Sequence, residues 1–525
     1  MMKHMPGNKT FYITTSIPYV NAAPHVGFAF ELLLADVLAR HHRLSGSEVF
    51  FLTGTDEHGK KIQEAAEKAG KSPQDYVDGV AKQFQELAVA LGVSNDDFIR
   101  TSDRARHIPV AVKVWQELKS KGDIYKEKYE GLYCVGCEAF LREVEIEDGK
   151  CRIHQKEVQK VYEENYFFRF SKYAKKVEEL IRSGEIAIVP AYRKTEMLNL
   201  FSEEGTRDIS VSRPRESVGW GIAVPNDDSQ MMHVWVDALL NYLSGAGYGS
   251  PPAGGAFAKR WPPDAQVIGK DIARFHVMMW PAIVLSLGLA FPKTMLIHGH
   301  IAIEGRKMSK SLGNVVDPFE MIRIFGKEAF RYLLLREIPS LDDGDFSFEG
   351  FRRRYAADLS NGLGNLVSRV STLGAQHAAR PNVPRQNDPV GLASGTGEGS
   401  FTVSHPLGNT HKIAFGAYQS AIDRFDFRDA LAEIWRVVGD ADKLVDESRL
   451  WKMAAGDPSR AKKVFEELAG HIGAAALMLA PFMPETSQKV LGALGVSENA
   501  AKNDSWDISF KKPEQPLFPR IESSI

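Results

Sequence analysis

Phe11-Tyr-Ile-Thr-Thr-Ser-Ile17, the turn-rich Pro18-Tyr-Val-Asn-Ala-Ala-Pro24 and the run beginning His25-Val-Gly-Phe28 decide the fold. The first is apolar and β-branched, as a strand should be, and the second holds turn formers. From His25 to about Leu44, Val26, Phe30, Leu33, Leu34, Val37 and Leu38 recur at helical spacing, and Ser45-Gly46 supplies a stop. Val49–Leu52 reads as the next strand. It runs into the polar Thr53-Gly-Thr-Asp-Glu-His-Gly59, and 60–69 reads as a helix. This β-α-β-α order predicts a parallel sheet that binds its ligands at the carboxyl edges of the strands, near a topological switch point.

Working outward, Gln266–Ile268 and Met295–His298 are expected to complete the sheet. Residues 121–227 change character, with short segments, many charges and all the cysteines, and read as an insertion. After residue 350 apolar residues recur at three and four across 355–377, 410–425, 428–447, 460–479 and 484–494, which predicts a C-terminal helix bundle. The stretch 380–409, rich in Pro, Gly, Ser and Asn, is expected to be a surface loop between helices. The fold class is therefore α/β: a split Rossmann-like parallel sheet with an insertion, followed by an all-α bundle. No internal repeat is found.

The 525 residues exceed what one core accommodates, so several domains are expected. With 44% hydrophobic and 25% charged residues, and a mean hydropathy of -0.24, the composition is that of a globular protein and excludes disordered and fibrous classes. The first ten residues lack a signal peptide's apolar region and no run is long enough to span a bilayer, so a cytoplasmic protein with no membrane partner is expected. The net charge of -2 gives no broad field for nucleic acid, which leaves any such binding to local patches.

Two constellations carry chemistry. Pro24-His25-Val26-Gly27 sits where a strand meets its helix; unpaired N–H groups and the dipole suit an ATP phosphate, and Gly27 leaves room for a flat base. Arg306-Lys307-Met308-Ser309-Lys310-Ser311-Leu312-Gly313-Asn314 places two lysines three apart, able to stabilise charge on departing pyrophosphate. Alone, the tetrapeptide could be a capped helix start and the lysine turn a solvated loop; their occurrence together in one split sheet favours the functional reading. Separately, Cys134-Val-Gly-Cys137 and Cys151-Arg-Ile-His154 form a Cys₃His set that uses all three cysteines of the chain. The spacing suits tetrahedral zinc, and four protein ligands leave no open position, so a structural Zn2+ is expected. A redox pair would leave Cys151 and His154 unexplained.

His25-Val-Gly-Phe28 and Lys307-Met-Ser-Lys-Ser311 resemble the HIGH-like and KMSKS signatures of class I aminoacyl-tRNA synthetases. Ile17-Pro-Tyr-Val-Asn21, Thr53–Gly59, Val234-Trp-Val-Asp-Ala-Leu239 and Gly269-Lys-Asp-Ile272 through His276 resemble the methionyl-tRNA synthetase family, from about residue 10 to the C-terminus. The resemblance implies that the chain forms methionyl-adenylate and pyrophosphate from L-methionine and Mg2+-bound ATP, then esterifies the 3′ end of tRNA(Met). It implies catalytic roles for His25, Lys307 and Lys310, and ATP binding by Pro24, His25, Gly27, Gly269, Asp271, Lys307, Met308, Ser309, Lys310 and Ser311. The methionine pocket falls on Ile17, Tyr19, Asp56, Trp235, Leu239, Tyr242, Ile272 and His276. Asp56 would pair with the substrate ammonium, the aromatics would line the thioether, and His276 would contact the sulfur region. The anticodon contacts fall on Asn365, Arg369 and Trp451.

The implied division is a catalytic domain in two halves, 1–120 and 228–320, the second with the KMSKS loop. Residues 121–227 are the insertion with its zinc knuckle near the tRNA acceptor end, 321–360 a stem-contact linker, and 361–525 a helical anticodon-binding domain. Three positions depart from the family pattern. Phe28 replaces the second motif histidine and should make no phosphate contact. Leu239 and Leu450 stand where the family usually carries proline. An insertion of 121–227 is too short for an editing domain plus a knuckle, which disfavours the isoleucine, valine and leucine enzymes. A synthetase for another amino acid, such as cysteine, and a non-catalytic tRNA-binding paralogue remain as alternatives. With no appended domain after Pro516–Ile525, a monomer is expected.

Overall fold

The structure, a computed structural model, describes residues 10–136, 139–141, 145–152, 155–203, 207–249, 255–308, 314–378, 401–407, 411–497 and 500–521. Its centre is a six-stranded sheet in the order Asp97–Arg100, Glu48–Thr55, Thr10–Thr15, Ala265–Gly269, Thr294–His298, Ala187–Val189. Every neighbouring pair is parallel. The chain order reverses between Thr10–Thr15 and Ala265–Gly269, so the switch point lies there, and a ligand crevice is expected outside the carboxyl ends of these two strands.

The helix after the first strand spans Val26–Leu44 and is buried almost all round, from Phe28 through Ala39. A helix apolar on every face must be enclosed by other elements. The sheet lies on one side, and helices including Pro73–Ala90 and Lys327–Glu337 contribute to the same core. Gly54 lets the edge strand close in: a Cβ there would lie 2.1 Å from the Ile99 carbonyl oxygen.

Three observations refine the expectations. Ala187–Val189, from within the span read as an insertion, returns to the parallel sheet and forms its edge. Its three residues are too few to show a strand period. The rest of that span is built on a long antiparallel pair, Ile124–Cys134 with Gln159–Phe168. The periodic stretch from 355 divides into a π-helix, Tyr355–Gly364, in which Gly362 leaves helical geometry, and an α-helix, Asn365–Ala378; apolar spacing does not separate the two windings. Finally, the expected loop 380–409 contains a strand, Phe401–Ser404, paired antiparallel with Ser505–Ile508. Residues 379–400 lie outside the described residues.

The C-terminal helices Lys412–Asp423, Phe427–Ser448, Pro458–Leu479 and Pro484–Ala493 form the bundle. Asp426 and Asp457 cap two of them by accepting from the backbone N–H three residues on, at 3.1 Å each. The bundle is joined to the sheet domain by Arg331, fully buried, which donates to Asp36 (2.6 Å) on the Val26–Leu44 helix and to the carbonyls of Phe482 (2.8 Å), Leu91 (3.1 Å) and Pro481 (3.3 Å). No helix among the described residues is long and apolar enough to cross a membrane.

Candidate active site

The loop leaving the first strand supplies Ile17 and Tyr19 and then Pro24, His25 and Gly27, all at the carboxyl edge of the sheet. His25 is the N-cap of the Val26–Leu44 helix, and its Nδ1 accepts from the Gly27 N–H at 3.0 Å. An accepting Nδ1 leaves the ring proton on Nε2, so the exposed imidazole presents an N–H outward from the positive end of a helix. Pro24 is buried beneath it. Phe28 turns the other way, buried edge-on against Phe84 with centroids 5.1 Å apart; the phenyl ring completes the core.

The two signature motifs meet at Gly27. A Cβ there would come within 2.9 Å of the His25 ring and 3.6 Å of Met308 Cε. The backbone of Val26 also donates to Val316 O at 3.2 Å, tying the helix start to the chain beyond the lysine motif. Lys307 lies on a short strand, Arg306–Lys307, opposite Ala302. Ser309, Lys310 and Ser311 lie outside the described residues.

Asp56 follows the second strand. Its backbone is bridged to the loop of Tyr19: Asp56 N donates to Pro18 O (2.9 Å) and Val20 N to Asp56 O (3.1 Å). Lys61 approaches the Tyr19 ring, its Nζ 5.7 Å from the centroid, and donates to Gly136 O at 2.9 Å in the cysteine-bearing segment. Ile17 packs on a small cluster with Tyr12 and Leu52.

Across the switch point, Gly269, Asp271 and Ile272 end the strand Ala265–Gly269. A Cβ at Gly269 would press on Asp271 Oδ1 at 2.8 Å, and Asp271 faces His300 at 3.3 Å. Tyr242 and His276 are bonded to each other, Oη to Nε2, at 2.8 Å, while His276 Nδ1 donates to Ile272 O at 3.1 Å. The His276 ring is thus neutral, its Nε2 accepting, and burial pushes its pKa down to about 4. Leu239 is buried beside them. Trp235 stacks on Phe275, centroids 3.8 Å apart and 10° from parallel, and its buried Nε1 finds no acceptor among the described residues.

Sequence reasoning missed two buried polar clusters under the site. Glu31, inside an otherwise apolar helix, accepts from Ser16 N (2.7 Å) and Ser16 Oγ (2.6 Å) and faces His298 Nε2 at 3.0 Å. Burial opposes a charged His298, yet Glu31's hydrogen bond and charge outweigh it and hold its pKa above the usual value. A lone carboxylate between Phe30 and Leu32 was the available signal. The second cluster is centred on Asp237, which takes His58 Nδ1 at 2.6 Å and His107 Nε2 at 2.8 Å. Burial would raise its pKa, but the two imidazoles hold it at about 2.

Of the expected zinc ligands, Cys134 and Cys151 are brought together in one small buried cluster with Leu141. Cys137 and His154 lie outside the described residues. Two buried soft sulfur donors in one small cluster fit the chemistry of a thiolate metal site. In the bundle, Arg369 pairs with Asp446 at 3.1 Å, Asn365 is exposed at the start of its helix, and Trp451 is 46% exposed, anchored by the fully buried Leu450. A tryptophan that open is a surface group rather than bundle core.

The family model of class I tRNA synthetases (M) matches residues 11–160 and 143–371. The methionine–tRNA ligase of Rhizobium meliloti is 41% identical over 503 residues, covering 94% of this chain and 93% of that protein. The one from Caldanaerobacter subterraneus subsp. tengcongensis is 39% identical over 524 residues, 98% of this chain and 79% of that protein. Among solved structures, Mycobacterium tuberculosis methionyl-tRNA synthetase bound by methionyl-adenylate superposes with a TM-score of 0.86 at 35% identity, covering 97% of this chain and 100% of that one. On this evidence the chain belongs to the methionine–tRNA ligase family of class I aminoacyl-tRNA synthetases.

Proposed function

We infer that this chain is an ATP-dependent ligase that activates L-methionine as methionyl-adenylate and transfers it to the 3′-terminal adenosine of tRNA(Met). The observation that supports this reading is the approach of Met308 Cε to Gly27 beside His25, which brings the two signature segments together, alongside the Tyr19–Asp56 bridge and the Tyr242–His276 bond. The tuberculosis relative was solved with methionyl-adenylate itself.

In the first step the methionine carboxylate attacks the α-phosphorus in line and pyrophosphate leaves. Asp56 holds the ammonium, and Ile17, Tyr19, Trp235, Leu239, Tyr242 and Ile272 enclose the side chain. Because both His276 nitrogens are engaged, the polar contact to the sulfur falls to the Tyr242–His276 pair rather than to a free imidazole. A neutral imidazole suits an uncharged thioether, with sulfur–aromatic contacts at roughly 0.3–1.5 kcal/mol each. Nε2–H of His25 and the ammonium groups of Lys307 and Lys310 stabilise the phosphates, beside Pro24, Gly27, Gly269, Asp271, Met308, Ser309 and Ser311. ATP would arrive with Mg2+, which would supply neutralisation of part of the pyrophosphate charge. Catalysis is positioning plus electrostatics, with no covalent enzyme intermediate. In the second step a terminal ribose hydroxyl of the tRNA attacks the carbonyl carbon and AMP leaves.

Cys134, Cys137, Cys151 and His154 would hold one structural Zn2+, which would order the hairpin region. The bonds from Lys61 to Gly136 O and from Arg274 to Glu145, at 3.3 Å, link that region to the pocket. Asn365, Arg369 and Trp451 read the anticodon, where an exposed indole gives an unstacked base a surface. We read the working unit as a monomer acting in the cytoplasm. Incubation with labelled methionine, ATP and tRNA(Met) tests the reading: methionine should become ester-linked to the tRNA, and failure to charge while tRNA binds would favour a non-catalytic tRNA-binding protein.

A further inference from the structure

The Asp56 loop and the Trp235 helix come from segments 179 residues apart, and one buried contact joins them directly. His58, two residues beyond Asp56, donates Nδ1–H to Asp237 Oδ2 at 2.6 Å, and Asp237 lies two residues beyond Trp235. Their side chains are 4% and 1% exposed. The helix Val234–Leu239 has six residues, too few to hold its own geometry. It must take its orientation from side-chain anchors, and Asp237 is the charged one. Its second oxygen is held by His107, fully buried at the start of Ile108–Ser120, whose Nδ1 meets Ser244 Oγ at 2.9 Å. Other bonds of the loop run to Pro18 and Val20, to Thr101 (2.8 Å) and Arg100 (2.7 and 2.8 Å) through Glu57, and to Trp220 (2.7 and 2.9 Å), segments other than the Trp235 helix.

We propose that His58 and Asp237 are positioning residues for the amino-acid site: their buried hydrogen bond sets the separation between Asp56, on one side, and Trp235, on the other. This rests on reading Asp56 and Trp235 as the amine and wall positions. Neither His58 nor Asp237 touches substrate. The bond is charge-assisted and dry, so small displacements are resisted and the ammonium partner stays in register with the side-chain wall. His107 holds the other oxygen of the same carboxylate and belongs to neither the Asp56 loop nor the Trp235 helix, so it supports the cluster without setting that separation.

The test measures methionine affinity by calorimetry and KM in ATP–pyrophosphate exchange. His58→Ala should weaken methionine about tenfold or more, the scale of a lost charge-assisted hydrogen bond, while KM for ATP moves by less than about threefold. His58→Asn, whose Nδ2–H can occupy the Nδ1 position, should restore methionine affinity to within about threefold of the parent. His107→Ala should lower the melting temperature with methionine affinity kept. Should His58→Ala not fold, His58→Leu, which fills the volume without a donor, reads the same bond and should give the same methionine-selective loss. Equal methionine affinity in His58→Ala or His58→Leu, a matching loss in ATP, no rescue by asparagine, or a loss as large in His107→Ala would each overturn the proposal. Calorimetry keeps the two readings apart: a parent protein that binds methionine without driving exchange refutes the activation chemistry alone, whereas one that does not bind methionine refutes both.

Discussion

Replacing Arg331 by methionine should destabilise the protein by about 3–5 kcal/mol, the range for breaking a buried ion pair from one side. The guanidinium and Asp36 are both fully inaccessible to solvent. Truncation removes one of the two cations on the Asp36 carboxylate and leaves the carbonyls of Phe482, Leu91 and Pro481 without this donor. Asp36 keeps Arg40 at 2.8 Å and Ser94 N and Oγ at 2.7 and 2.6 Å, so the cost belongs at the lower end of that range. Asp36→Asn combined with Arg331→Met removes both charges of the buried pair, and the double variant should cost less than the two singles together by about 1 kcal/mol or more. Guanidinium unfolding followed by far-UV circular dichroism reads all three. An Arg331→Met midpoint within error of the parent, or strict additivity, would refute the claim that this arginine joins bundle to sheet.

Further outcomes follow from single features of the site. His276, held at about 4 by burial, stays neutral when folded, whereas the unfolded chain takes up the proton below about 6.5; stability should fall as pH drops across that interval, by about 3 kcal/mol from this group. Melting curves against pH should show a shallower decline for His276→Gln, and an unchanged slope would count against a buried neutral imidazole. Trp451→Ala should raise KM for tRNA(Met) by about tenfold, the scale of one stacked base, and leave ATP–pyrophosphate exchange unaltered; a loss of exchange would mean the indole supports the fold instead. Purified protein should contain one zinc per chain by elemental analysis, absent from Cys151→Ser, and zinc retained by that variant would remove Cys151 from the ligand set. Gly54→Ala should cost several kcal/mol or prevent folding, because the added methyl meets the Ile99 backbone at 2.1 Å, and near-parental stability would show that the edge strand can shift.

The strand–turn–helix at 11–44 and the strand ending in Thr53–Gly59 were readable from sequence because period and punctuation agree there with the tertiary environment. The bundle helices were found for the same reason, to within a few residues at each end. The edge strand Ala187–Val189 and the pairing of Phe401–Ser404 with Ser505–Ile508 were not. Short strands acquire identity only from partners distant in sequence, and a Pro- and Gly-rich flank hides them. Motif residues such as His25 and Asp56 stood out through their resemblance, yet what each does next was hidden: Nδ1 of His25 accepts from Gly27, and Phe28 turns into the core. The clusters of Glu31 with His298 and of His58, Asp237 and His107 join segments more than 100 residues apart, a relation that no local pattern carries.

Amino-acid-dependent ATP–pyrophosphate exchange, run with each of the twenty amino acids on the parent protein and on Lys310→Ala, tests the central claim most directly. Methionine alone should drive exchange, and the variant should largely lose it. Exchange driven by a different amino acid would contradict the pocket assignment, and exchange driven by none would contradict the activation chemistry itself.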